Sequence, residues 1–326
     1  MCRSKLNFKK HLDRFRELAK VALLVMSVIL ANLVMAQEKG QKTFSTAEEA
    51  SQALYTAAKN NDVSELLEIF GPTGSQIIYS GDEAEDAQSR ADFLQGYKER
   101  HRLVTEGDGT VTLYIGSKNW PSPIPLVNKG EVWYFDTEAG TQEILFRRIG
   151  FNEISAVQTC RQLAAAEEKF WQQYHEYAQE IFSDEGQHNG LYWQVAEGQP
   201  ESPIGPLVAQ AVAEGYTRDR EGSPIPYRGY FFHILKSQGE NAGGGAKSYI
   251  VAGRMTGGFA FEACPAEYRS SGAKTFLVST DGVVFEKDLG ENTEAIARSM
   301  KQFNPDSTWQ RSEGGTGEPW LAPNRY

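Results

Sequence analysis

The chain has 326 residues, enough for one large domain or two ordinary ones. Its formal net charge is -10, with 43 acidic against 33 basic side chains. This excess of carboxylates disfavours nucleic acid as a partner, because phosphate backbones are bound by clustered lysine and arginine.

The first 36 residues have the pattern of a secretory signal peptide. Residues 1–20 are rich in lysine and arginine, an apolar run follows over residues 21–35, and Val34 and Ala36 precede Gln37 as the small side chains of a cleavage site. The apolar run is shorter than the roughly 20 residues that span a bilayer comfortably. The sequence therefore predicts a periplasmic or secreted protein, cleaved after Ala36. An uncleaved N-terminal membrane anchor is the alternative.

Cleavage would remove Cys2 and leave Cys160 and Cys264. An oxidising compartment permits a disulfide between them. Their predicted positions, inside a helix and at the end of a strand, favour two buried thiols that pack as small apolar side chains. Both possibilities remain open at this stage.

Residues 37–149 predict an N-terminal α+β module. Capping boxes at Ser45–Glu48 and Asp62–Glu65 open two helices, and a third helical pattern runs over Glu83–Arg102. The period then changes to that of strands. The predicted strands are Val111–Ile115, Glu131–Asp136 and Gln142–Ile149. Helices followed by an antiparallel meander resemble the cone-shaped nuclear-transport-factor-2-like and cystatin-like folds.

Residues 150–310 predict a second module, with a long amphipathic helix over Asn152–Ala178 that packs on an antiparallel sheet. Asp281-Gly282 marks a hairpin between the last two strands, and Asn292–Phe303 forms a final helix. Residues 311–326 read as a disordered tail. The predicted strands are Gly229–Ser237, Ser248–Ala252, Gly258–Ala263, Lys274–Ser279 and Val283–Asp288.

Two resemblances follow from these residues. Gly229–Leu235, Phe259–Pro265 and Lys274–Phe276 after a long helix look like the globular half of type IV pilins and pseudopilins. The apolar N-terminal half of the pilin helix, with its cleavage site and assembly glutamate, is missing. The resemblance therefore implies a pilin-like C-terminal fold without filament assembly.

The chain also resembles, over nearly all of residues 44–309, the exported bacterial family known as domain of unknown function 2950. The resemblance implies an envelope or periplasmic location and implies no activity. The stretches that carry it are Phe44–Ala50, Trp120–Pro125, Arg147–Gly150, Asn189–Trp193, Gly257–Ala260 and Lys287–Gly290.

The sequence lacks the spacing of common catalytic sites. Its histidines after the signal show no metal-ligand spacing, and no Gly-x-Ser-x-Gly elbow occurs. These histidines are His101, His175, His188 and His233. We therefore expect neither a metal nor another cofactor, and an enzyme is the less favoured interpretation.

Four residues are candidates for a ligand or partner surface: Trp120, Trp133, Arg147 and Arg148. The proline-spaced segment Trp120–Pro125 could bind a partner as an extended, aromatic-walled surface. The favoured alternative is that Trp120 covers one end of the core while the prolines hold an irregular edge. Arg147 and Arg148 could dock an anionic ligand, but on a predicted strand they would point in opposite directions, and one of them is expected to pair across the interface between the modules.

The resulting hypothesis is an exported, non-enzymatic protein for interaction or scaffolding in the envelope, whose partner is an unknown envelope protein. The alternative is a small-molecule-binding protein or hydrolase with a pocket in the N-terminal module.

Overall fold

The computed structural model describes residues 39–79, 83–195, 201–208 and 226–313. Internal contacts divide the chain into two units, with the division between Gln142 and Glu143. Both units combine helices with antiparallel sheet, which confirms the predicted α+β class. None of the helices in the described ranges is long and apolar enough to cross a membrane. The predicted signal peptide and its cleavage site at Ala36 lie outside the described residues.

The N-terminal unit begins with a group of helices, two of which are capped by side chains. These are α1 (Ala47–Asn60), α2 (Val63–Phe70), a 3-10 turn (Pro72–Gly74), α3 (Ser75–Ile78) and α4 (Glu83–Glu99). The Asp62 side chain accepts from the Glu65 backbone N–H at 3.0 Å, as predicted. The first cap lies one residue later than predicted, because Thr46 accepts from Glu49 N–H. Glu49 in turn accepts from the Ser45 N–H.

An antiparallel sheet follows the helices of this unit. Its strands are β1 (His101–Thr105), β2 (Val111–Ile115), β3 (Trp120–Pro121), β4 (Leu126–Lys129) and β5 (Val132–Phe135). The order is β1-β2-β4-β5, and β3 also pairs with β2. Val111, Leu113 and Ile115 of β2 are buried, while the residues between them are half-buried. One face of the sheet therefore packs into the core of the unit.

The predicted strand Gln142–Ile149 is wrong, because these residues belong to helix α5 (Thr137–Tyr174). Asp136 caps this helix by accepting from the Ala139 N–H at 3.0 Å. Gly140 lies in the first turns of this helix. The cluster of Ile144, Leu145 and Ile149 resembles a strand but also has the spacing of one helical face. The cap decides between the two patterns, and the helix begins well before the predicted Asn152.

The C-terminal unit packs α5 on a second antiparallel sheet. The remaining elements are β6 (Glu180–Phe182), β7 (Gly190–Tyr192), β8 (Tyr230–Leu235), β9 (Ser237–Gln238), β10 (Lys247–Ser248), β11 (Ile250–Val251), β12 (Arg254–Met255), β13 (Ala260–Pro265), β14 (Lys274–Ser279), β15 (Val284–Asp288), α6 (Thr293–Ser299) and β16 (Gln310–Arg311). The sheet order is β16-β15-β14-β13-β8. Phe261 and Phe276 join Leu163 and Phe170 of the helix in one apolar core.

The end of the described chain differs from the predicted tail. Arg311 pairs with Phe285 in the sheet, so the strand pattern continues past the predicted start of disorder. The rest of the predicted tail, from residue 314, lies outside the described residues. The final helix is shorter than the predicted Asn292–Phe303. The predicted Asp281-Gly282 turn joins β14 to β15 and Gly282 has a φ of 69°, as a tight hairpin requires.

The two cysteines are separate, buried thiols. Cys160 lies in α5 and Cys264 in β13, in agreement with the favoured interpretation. Burial raises the pKa of each thiol to about 12. Both thiols are therefore protonated at neutral pH and poor nucleophiles.

Candidate functional site

The two predicted tryptophans lie on different strands of the N-terminal unit. Trp120 is opposite Ile115 in the pairing of β3 with β2. Trp133, in β5, is opposite Asn128 and also pairs with Phe44. Both indoles are half-buried, and residues 122–124 of the proline-spaced segment are buried. This burial supports the interpretation that the segment completes the core.

The apolar cavity of the N-terminal unit is small. Leu54, Phe70, Phe93 and Ile124 are among the side chains that line it, and neither tryptophan does. Its volume is about 30 Å³. That space holds about one or two water molecules, whereas sites for small organic ligands measure roughly 300–1,000 Å³. This cavity is therefore too small to hold such a ligand.

Arg147 and Arg148 are neighbours on helix α5, so the prediction that they lie on a strand is wrong. Arg147 Nε donates to Glu143 Oε1 at 2.7 Å, one helical turn away. Arg148 Nε donates to the Ser270 backbone carbonyl at 3.2 Å. The first arginine thus has its own carboxylate partner, and the second braces a loop of the C-terminal unit.

Strand β1 has an open edge. The Gly116 N–H donates to the Arg100 carbonyl, and the Glu106 N–H donates to the Thr110 carbonyl, both at 2.8 Å. These two bonds fix the alternation of the ladder, so the even-numbered residues 100–106 turn their backbone groups toward β2. His101, Leu103 and Thr105 therefore turn theirs away from the sheet. In the described residues no backbone group pairs with that edge.

Charged side chains frame the open edge on one face of the sheet. The Arg102 guanidinium lies 4.5 Å from the ring centre of Tyr114, and the Tyr114 hydroxyl donates to Glu106 Oε1 at 3.2 Å. Arg100 is exposed at the start of the strand. On the other face His101 stacks on Tyr97 with ring centres 3.9 Å apart. The edge thus has a basic start and an acidic end.

The opposite edge of the same sheet is closed. The Phe44 N–H donates to the Trp133 carbonyl and the Trp133 N–H donates to the Phe44 carbonyl, each at 2.8 Å. The sheet can therefore grow along β1, where unpaired backbone groups are a template for another strand.

A second polar feature lies on the sheet of the C-terminal unit. Glu262 of β13 is 1% exposed, and its Oε1 has no hydrogen-bond partner. Its Oε2 lies 3.8 Å from Nδ1 of His233 on the neighbouring strand. Helix α6 packs against β13. Among the described residues no group of three or more acidic, histidine or cysteine side chains could hold a metal ion.

Burial keeps this pair uncharged at neutral pH. It raises the pKa of Glu262 to about 8, although Lys301 opposes the rise. Burial and Lys301 both lower the pKa of His233. A contact of 3.8 Å would be an ion pair only with a protonated imidazole, and both shifts oppose that state. Glu262 is therefore a buried carboxylic acid beside a neutral histidine.

Glu167 of α5 is a second buried carboxylic acid. Its Oε2 accepts from the Ala178 N–H at 2.8 Å and so holds the chain where it leaves the helix. Its Oε1 has no hydrogen-bond partner, and burial raises its pKa to about 8. This contact is structural, because the carboxyl closes the end of the helix rather than facing solvent.

A comparison with protein families matches residues 41–312 to the family described as Protein of unknown function (DUF2950). The match covers well over half of the chain. The chain belongs to the DUF2950 family. No curated protein and no solved structure matches it.

Sequence reasoning missed both features that stand out in this DUF2950 protein. The sequence does contain an indication of the buried Glu262, because this carboxylate lies inside the apolar stretch Phe259–Pro265. Its alternation along a strand suggests a solvent-facing side chain, and the packing of α6 overturns that expectation. The open edge of β1 carries no such signal, since strand order depends on the tertiary fold.

Proposed function

We propose that this DUF2950 protein is an exported, non-enzymatic interaction protein of the cell envelope. Its N-terminal unit binds an extended polypeptide strand along β1. The observation that carries this proposal is the open edge, at which the backbone groups of His101, Leu103 and Thr105 face away from the sheet. An added strand satisfies those groups, and neighbouring side chains select the partner.

The pattern of residues 1–36 supports the envelope location. We expect the protein expressed in its native host to begin at Gln37, because signal peptidase cuts after small side chains that follow an apolar segment. Intact-mass measurement of the protein from the periplasmic fraction tests this. A mass that includes residues 1–36, found with membranes, would instead support the uncleaved anchor.

The C-terminal unit supports a scaffolding role. A 38-residue helix that packs on a five-stranded antiparallel sheet is consistent with the proposed pilin-like fold. The edge strand β16 has two residues, which leaves little backbone for strand addition at that side. We place partner binding at β1 of the N-terminal unit because of its outward-facing backbone groups.

Proline substitution along β1 tests the role of its edge. The Thr105 N–H faces away from the sheet, so Thr105→Pro removes an edge donor without removing a bond to β2. We expect this variant to fold and to lose most strand-mediated binding. The measurement is quantitative mass spectrometry of proteins captured from the envelope of the native host on the tagged protein.

Two matched variants make that experiment decisive. Val104→Pro removes a bond to β2, and we expect it to lower the thermal midpoint clearly, since it breaks the ladder. Thr105→Val keeps the edge N–H and should capture the same proteins as the wild type. Identical capture by a well-folded Thr105→Pro variant would contradict the proposal.

A further inference from the structure

We propose that the strand bound along β1 is β1 of a second copy, so that the protein forms a twofold-symmetric dimer with a continuous antiparallel sheet. This inference rests on the proposed function and adds the identity of the partner. Its evidence is the direction of the backbone groups, the order of charges along the strand and the closed state of the other edge.

The backbone geometry sets the register. A twofold axis at Leu103 places Leu103 opposite itself and His101 opposite Thr105 of the second copy. These are the three residues of β1 whose N–H and C=O groups face outward. Each pair then exchanges both backbone hydrogen bonds, as in the narrow pairs of an antiparallel ladder. No outward-facing group of the strand is left without a partner.

The charges agree with the same register. It places Arg100 opposite Glu106 of the second copy, twice by symmetry, on the face of the sheet that carries Arg102 and Tyr114. Opposite charges across neighbouring strands stabilise pairing. A shift by two residues in one direction places Arg102 opposite Arg102. The reverse shift places His101 opposite Gly107, which lies in a turn.

The other face of the strand also fits a symmetric partner. Leu103 pairs with the fully buried Leu113 across β1 and β2, so its side chain lies on the core side of the sheet. It is itself half-buried. Contact with Leu103 of the second copy would cover the apolar surface that it still exposes.

The closed edge of β5 limits the assembly to two copies. The backbone N–H and C=O of Trp133 are already hydrogen-bonded to Phe44, so a second copy can join this sheet at β1 alone. Self-pairing of identical edges is an isologous contact, which closes on itself and gives a dimer instead of a fibre.

A symmetric disulfide tests the register. Paired residues in a narrow antiparallel pair have Cα atoms about 5.5 Å apart, which suits a disulfide. We expect Leu103→Cys in the full chain to give a covalent dimer under mild oxidation. Thr112→Cys, in the middle of the sheet on β2, is the control and should behave like the wild type.

A charge exchange tests the pairing of Arg100 with Glu106. We expect Arg100→Glu and Glu106→Arg each to weaken self-association about tenfold, since each brings like charges together twice. The double variant restores opposite charges and should recover most of the affinity. Sedimentation velocity over a concentration series measures the association, and thermal melts check that each variant folds.

Failure of this inference is distinguishable from failure of the proposed function. A protein that stays monomeric at all concentrations, with no covalent dimer from Leu103→Cys beyond the Thr112→Cys control, overturns the dimer. If the Thr105→Pro variant then captures less of a different envelope protein than the wild type does, the edge binds that protein and the proposed function stands. A dimer that the charge variants leave unchanged would also overturn this register.

Discussion

We expect the protein to lose stability as the pH rises from about 5 to about 8. Burial raises the pKa of both Glu167 and Glu262 to about 8, from an ordinary value of 4.5. Between these values the unfolded chain releases both protons, while the folded protein keeps them. Rising pH therefore favours the unfolded state, and the stability that these groups provide is complete only below about pH 4.5.

The expected effect is large. For each carboxyl, the free energy of unfolding should fall by on the order of 3 kcal/mol across this window. His233 gives the opposite pH dependence, because its pKa is lowered and its protonation below the ordinary value of 6.5 therefore favours the unfolded chain. Its side chain is 54% exposed, so its contribution to stability is small. Urea denaturation at pH 5, 6.5 and 8 measures the slope.

The variant Glu262→Gln tests whether the Glu262 carboxyl causes the fall in stability with rising pH. The amide cannot ionise, so we expect a smaller fall in stability with pH and a variant more stable than the wild type at pH 8. At pH 5 the variant should be slightly less stable, because a buried amide has more polar groups to satisfy. The exposed Glu240→Gln is the control, with the slope of the wild type. An unchanged slope in Glu262→Gln would show that the Glu262 carboxyl of the wild type ionises as readily in the folded protein as in the unfolded chain.

Local signals in the sequence predicted the elements whose evidence lies within a few residues. The cap at Asp62 and the hairpin at Asp281-Gly282 depend on neighbours, and both agree with the structure. The apolar run Lys274–Ser279 is a strand at the predicted bounds. Such features need no knowledge of the rest of the chain.

A local signal can also be ambiguous. Gln142–Ile149 fits a strand and a helix equally well by pattern, and the cap at Asp136, a few residues upstream, selects the helix. Features that depend on distant residues were not predictable in the same way. Whether β1 lies at an edge depends on which strands pair, and that depends on residues far apart in sequence. The candidate site is therefore a tertiary feature, although the side chains that frame it are ordinary.

Gly140→Ala should be strongly destabilising, by about 1–3 kcal/mol. A Cβ at this position would lie 2.6 Å from Cγ1 and 2.9 Å from Cγ2 of Ile124, a side chain that is 2% exposed. Glycine therefore lets the start of α5 approach the segment that contains Ile124. This close approach explains a glycine in the first turns of a helix.

Gly150→Ala, in the same helix, is the matched variant with the opposite sign. A Cβ there meets nothing within 4 Å. Alanine restricts the unfolded chain and favours the helix, so we expect stabilisation by up to about 1 kcal/mol. Thermal and urea unfolding of both variants measures the difference. If residues 142–149 were a strand after a turn, the contact of Gly140 with Ile124 and the helical gain at Gly150 would both disappear, and the two variants would not differ in sign.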